Sequence, residues 1–170
     1  MAEIRDRWAN MASISVTESA ANTLTFAKLE TGISIFEKMA WVICRIEYRH
    51  VPNLTDYADT SDYLDMALTT SANLTAITSP SEAAVLDYRR KIYYESGTPA
   101  NFAFMDIPIV VDFSTLPGGG IIVPPNPLYL AAKGLGLGAA QSVSVRFWYT
   151  NIALKPEEYW ELVESRRIIS

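Results

Sequence analysis

The amino-acid sequence predicts an all-β fold, an antiparallel β-sandwich, from three observations. Residues 142–150 alternate, with Val143, Val145, Phe147 and Tyr149 on one face and Ser142, Ser144, Arg146, Trp148 and Thr150 on the other. A period of two in a run rich in β-branched and aromatic side chains is the pattern of a half-buried strand. Further short runs of the same kind recur along the chain between glycine, proline and asparagine punctuation. Helix-start signals, by contrast, occur only twice, which predicts two short helices and about eight strands.

In chain order, residues 1–12 are charged and small and predict a mobile N-terminal arm ahead of one domain, 13–170. Trp8 and Met11 stand out on that arm. Ile14–Thr17 and Leu24–Ala27 are short strand candidates. Met39–Tyr48 is a stronger one: Trp41, Ile43, Arg45 and Glu47 alternate with Val42, Cys44, Ile46 and Tyr48, and the first half is apolar on both faces, as in a covered central strand. Asp56, Asp59, Asp62 and Asp65 recur at every third position, but without the glycine and closing glutamate of a calcium loop, so they predict a solvated loop entering a strand at Tyr63–Thr70. Ser79-Pro80-Ser81-Glu82 has the form of a capping box and predicts a helix over Pro80–Asp87. Lys91–Tyr94 and Phe102–Phe113 read as strands, and Pro108 assigns the latter to a sheet edge. Leu128–Lys133 and Gln141–Thr150 form a hairpin across Gly134, Gly136 and Gly138. Pro156-Glu157-Glu158 opens a C-terminal helix, 156–166, with acidic residues at its positive end.

Composition bounds the function. The chain has 170 residues, 49% hydrophobic and 19% charged, with a net charge of −5. That is one globular domain with few charges, and its acidity argues against a dedicated nucleic-acid binder. The basic clusters Arg89-Arg90-Lys91 and Arg166-Arg167 read as solvated surface charge. The one cysteine, Cys44, lies in an apolar run and reads as a buried, inert thiol. No apolar run is long enough for a spanning helix, and the first residues, MAEIRDRWAN, lack the apolar centre of a signal peptide, so cytoplasmic synthesis is expected.

The chemistry-bearing patterns are sparse. His50 is the single histidine and reads as an exposed strand-end residue; it cannot supply a multi-histidine metal site. Neither Gly118-Gly119-Gly120 nor Gly134–Gly138 is followed by the lysine and hydroxyl of a phosphate-binding loop, so both read as turns. No catalytic set, cofactor site or metal site is assigned, and an enzyme is not expected.

The N-terminal arm, the hairpin PPNPLYLAAKGLGLGAAQSVSVRFWYT and the tail KPEEYWELVESRR together resemble single jelly-roll coat proteins of tailless icosahedral viruses. The resemblance implies two packed antiparallel sheets of Greek-key topology and a structural subunit that self-assembles into a shell, with no catalytic residues. Its partners would be identical subunits and other coat proteins, with nucleic acid touched only indirectly, and its location the virion. The side chains expected in subunit contacts are Trp8, Met11, Tyr159 and Trp160, since aromatic and methionine residues are enriched at interfaces. On the helix, Tyr159, Leu162 and Val163 share a face toward the sheet, while Trp160 points about 100° away. The alternative is a carbohydrate-binding sandwich module, with Trp148, Tyr93 and Tyr94 stacking on sugar rings.

Overall fold

In the computed structural model of the chain, residues 3–4, 8–33, 37–51, 62–78, 84–92, 107–124 and 127–169 are described. Their elements are β1 (Glu3–Ile4), β2 (Asn10–Thr17), β3 (Thr25–Leu29), β4 (Met39–Val51), β5 (Tyr63–Thr69), β6 (Val85–Ile92), β7 (Ile109–Asp112), β8 (Ile121–Val123), β9 (Leu128–Leu135), β10 (Ser142–Ala153) and α1 (Pro156–Ile169).

The strands form two antiparallel sheets. One holds β1, β2, β10, β4, β7 and β8; the other has the order β3-β9-β5-β6. The pairing nests: β2 with β10, β3 with β9, β4 with β7 and β8, and β5 with β6. These are the rungs of one long hairpin. Folding that hairpin over itself adds β10 on β4 and β9 on β5. The result is a jelly roll, as the sequence resemblance implies.

The core lies between the sheets. Val143, Val145 and Phe147 meet Trp41, Ile43, Ile46 and Tyr48 from the same sheet and Leu64, Met66, Leu68, Leu128 and Leu130 from the other. Trp41 stacks on Tyr149 with ring centres 3.9 Å apart, and Phe147 lies tilted 5.7 Å from Trp41.

β4 departs from simple alternation. Trp148 faces Arg45 but Tyr149 faces Ile43, so Cys44 is an extra residue in the ladder. This β-bulge reverses the parity of the strand. Trp41 and Ile43 face the core before it, Ile46 and Tyr48 after it, and Arg45 and Glu47 turn outward. Strict alternation had placed Trp41 with Arg45 and Glu47. On the opposite edge of β4 the same position interrupts the partner strand. β7 ends at Asp112, the Phe113 N–H donates to the Cys44 carbonyl at 2.8 Å, and β8 resumes pairing at Ile43. Between them runs the Leu116–Gly120 loop, with Gly118 and Gly119 at φ values of +85° and +77°. Gly120 packs so closely on the Ile43 carbonyl and the Val42 side chain that a Cβ there would collide with both.

Three sequence expectations change. Val85–Ile92 is strand β6 paired with β5, so the helix expected over Pro80–Asp87 is replaced by strand from Val85 onward, and α1 is the one helix among the described residues. Paired along β5, the strand packs Leu86 against the core. Within the expected arm, Glu3–Ile4 pairs with β10 at Ile152 and Ala153, and residues 10–12 extend β2 along Phe147, Trp148 and Tyr149. Finally, the hairpin expected from Leu128–Lys133 and Gln141–Thr150 is not one: β9 pairs with β3 and β5 and β10 with β2 and β4, so the glycine-rich stretch carries the chain from one sheet to the other, Gly134 lies within β9, and only Gly136 takes a positive φ, +75°. The stretch is held from the β2–β3 connection. The buried Glu18 carboxylate accepts from the N–H groups of Gly134 (2.7 Å) and Gln141 (2.9 Å), and the Asn22 side chain bonds both the carbonyl (2.7 Å) and the N–H (3.0 Å) of Leu137.

Candidate assembly surface

The outward face of the six-stranded sheet is divided in two. α1 covers one half, where Ala40, Val42 and Ile152 are buried and Leu154 and Leu162 pack on them. Pro156 occupies the first helical position, the Glu158 carboxylate accepts from the Lys155 N–H at 3.1 Å, and the Tyr159 N–H closes the first turn on the Lys155 carbonyl at 2.9 Å. Tyr159 is thereby turned into its own domain and is 1% exposed, whereas Trp160, edge-on to it with ring centres 5.5 Å apart, is 57% exposed.

The register of β2, β10, β4 and β7 lays side chains in rows across the other half. Met11, Trp148, Arg45 and Asp112 form one row, Ser13, Arg146, Glu47 and Val110 the next, and Ser15, Ser144 and Arg49 a third. Hydroxyl pairs tie β2 to β10, Ser15 to Ser144 and Thr17 to Ser142, each at 2.8 Å. The Arg45 guanidinium lies 5.0 Å from the centre of the Trp148 ring, within reach of its negative face. Asp112 is held below the usual carboxylate range, first by the Ser114 hydroxyl, then by the Ser114 N–H at 2.8 Å, with the Arg45 charge adding to both. A shallow groove of about 350 Å³ runs along this row, lined by Ala9, Cys44, Arg45, Glu47, Asp112, Ser114 and Trp148. Met11, in the same row, is 58% exposed, and Trp8, ahead of β2, is 77% exposed. An aromatic, a methionine and an arginine around an open groove are what protein interfaces enrich.

No protein-family model matches the chain, and no curated protein matches it. Among solved structures, VP1 of the Trichodysplasia spinulosa-associated polyomavirus is similar with a TM-score of 0.55 at 8% identity, over 91% of this chain and 98% of that one. The same virus's VP1 in complex with 3'-sialyllactose is similar with a TM-score of 0.49 at 10% identity, over 84% and 94%. The chain shares its fold with a polyomavirus VP1.

The sequence-derived contact residues therefore separate. Met11 lies in the groove's row opposite Trp148, Trp8 is exposed just ahead of β2, Trp160 stands on the helix over the other half of the same sheet, and Tyr159 is withdrawn into the domain. Trp148 and Arg45 were not singled out for this surface. The outward parity of Trp148 was visible in the alternation, but the turn of Arg45 toward it depends on the bulge.

Other residues weighed on chemical grounds are structural. His50 is buried rather than exposed, with Nε2 3.1 Å from Gln141 Oε1, and the Gln141 side-chain amide donates to the Ala139 carbonyl at 2.8 Å. Asp62 and Asp65, expected in a solvated loop and its strand, are each 2% exposed. Arg89 and Arg90 are not free surface charges: Arg89 pairs with Asp87 at 2.7 Å and Arg90 with Asp65 at 2.7 Å. Tyr93 and Tyr94 lie outside the described residues, and among the described residues no helix is long and apolar enough to cross a membrane.

Proposed function

We propose that this chain is a structural coat subunit that assembles with identical copies into a closed shell, as the virion protein of a tailless icosahedral virus. The observation that carries the reading is the nested jelly-roll pairing, matched over nearly the whole of both chains to VP1, a viral capsid protein. Two surface features support it. The open half of the six-stranded sheet carries Met11 and the Trp148–Arg45 pair, and Trp8 ahead of β2 and Trp160 on α1 stand exposed. A closed shell needs such surfaces to recur by symmetry on every copy. Other coat proteins are possible partners of the same surfaces, and nucleic acid would be met only indirectly.

Trp8→Ala and Met11→Ala each remove an exposed side chain that the reading places in subunit contacts. The expected result is a subunit that melts as the parent does but forms particles weakly or not at all, followed by light scattering. Particle formation equal to the parent in both variants would remove Trp8 and Met11 from the contact. Trp148, the described member of the sugar-stacking alternative, already has Arg45 over its ring.

A further inference from the structure

On the other sheet, a cleft of about 200 Å³ opens on the outward face, away from the assembly surface. Its floor is the row Lys133, Asp65 and Arg90 on β9, β5 and β6, and the next row sets Tyr63 between Leu135 and Ile92. Ile77, packed over Ala67 and Ala131, closes one side. A carboxylate in the middle of a sheet face is costly to desolvate. Asp65 is 2% exposed and is fully engaged: Arg90 Nε donates to Oδ1 at 2.7 Å and Nη2 to Oδ2 at 2.9 Å, and the Tyr88 hydroxyl donates to Oδ1 at 2.7 Å. The face of the guanidinium lies over the Tyr63 ring, its central carbon 3.8 Å from the ring centre.

This arrangement fixes Arg90 in place and, among the described residues, leaves part of its fork unused, since a guanidinium has five N–H donors and Asp65 takes two. Lys133 borders the same space, with no ion pair among the described residues. One carboxylate and two cations leave the cleft with a net positive charge of one, which suits a single negative charge. A dianion would be opposed by Asp65 a few ångströms away. The walls formed by Tyr63, Ile77 and Leu135 suit a short apolar stem. At about 30 Å³ per water, the volume holds roughly six or seven water-sized groups.

We propose that the cleft binds a carboxylate on a short apolar stem, with Lys133 and the unused edge of Arg90 as donors and Tyr63 and Leu135 against the stem. Such a group belongs equally to a free small acid and to a glutamate side chain of a partner protein. The proposal stands independently of the coat reading.

Ligand-observed saturation-transfer NMR tests it on the full chain, as monomer or particle. Butyrate should give a saturable signal at millimolar concentration. Butyramide, its neutral counterpart of similar size, should bind at least tenfold more weakly. Lys133→Ala, and Lys133→Gln as the longer neutral replacement, should weaken butyrate at least tenfold while the thermal melt is retained. N-acetylglutamate amide binding tenfold tighter than butyrate would assign the site to a partner's side chain; equal or weaker binding would assign it to a free acid. No saturable butyrate signal, equal binding of butyramide, or unchanged binding in a folded Lys133 variant would overturn the proposal. Equal butyrate and butyramide binding on the parent decides the matter even if both variants fail to fold.

Discussion

Single residues in this protein are most constrained where charge is buried. Asp65 accepts three hydrogen bonds, and without the carboxylate charge Arg90 and Tyr88 keep weaker partners. Asp65→Asn should destabilise the fold by about 1–3 kcal/mol, toward the lower end because Arg90 keeps partial contact with water; a urea midpoint indistinguishable from the parent would contradict this. The tyrosines predict a pH dependence. Tyr48 is held well above the usual tyrosine value, chiefly by burial and then by the negative charge of Asp87. Tyr88 is pushed up to about 12 by burial and by donating to Asp65. In the unfolded chain tyrosine ionises near about 10, so the folded state holds these protons longer. Their contribution is therefore fully present below about pH 10 and is lost as the pH rises toward about 12 and beyond. Urea unfolding followed between those values should show falling stability, with a shallower fall in Tyr88→Phe.

At the scale of elements, the bulge at Cys44 organises the six-stranded sheet. It lets Trp41 and Ile43 share the core with Ile46 and Tyr48, and it lies where β7 gives way to β8. Gly120 must approach β4 closely at this point, so Gly120→Ala should cost about 1–3 kcal/mol through overpacking against backbone. A thermal melt within a degree of the parent would show that β8 can move aside. The bulge also explains what could be read from the sequence and what could not. Residues 142–150 were legible because their outer side is polar and their inner side apolar, so parity alone sets the facing. β4 was legible as a covered central strand, but not in its facing, because a bulge leaves no mark in a run apolar on both sides. The segment at Val85 misled because its capping signal is local, whereas strand pairing with β5 is a tertiary gain. The C-terminal helix was legible because proline and glutamate act within its first turn. Of the side chains expected in contacts, Trp8, Met11 and Trp160 are exposed, as large side chains in polar stretches of sequence suggest. The inward facing of Tyr159 follows from the helical geometry that sets it about 100° from Trp160, whereas the Asp65 cleft depends on the register of three strands.

For the whole molecule, the jelly roll buries one core between its two sheets, and the proposed coat role asks its outside to make repeated contacts. Phe147 lies fully buried at the centre of that core, and Phe147→Ala should cost about 3–5 kcal/mol without a direct effect on the surface. Trp8, Met11 and Trp160 should behave in the opposite way, leaving the melt unchanged while weakening association. Both ends of the chain take part in the sheet or cover it, so point changes separate assembly from folding more cleanly than truncation. Negative-stain microscopy of the purified protein across salt and pH tests the central claim most directly. The account predicts closed particles of uniform size under some of these conditions; a protein that stays monomeric under all of them would contradict it.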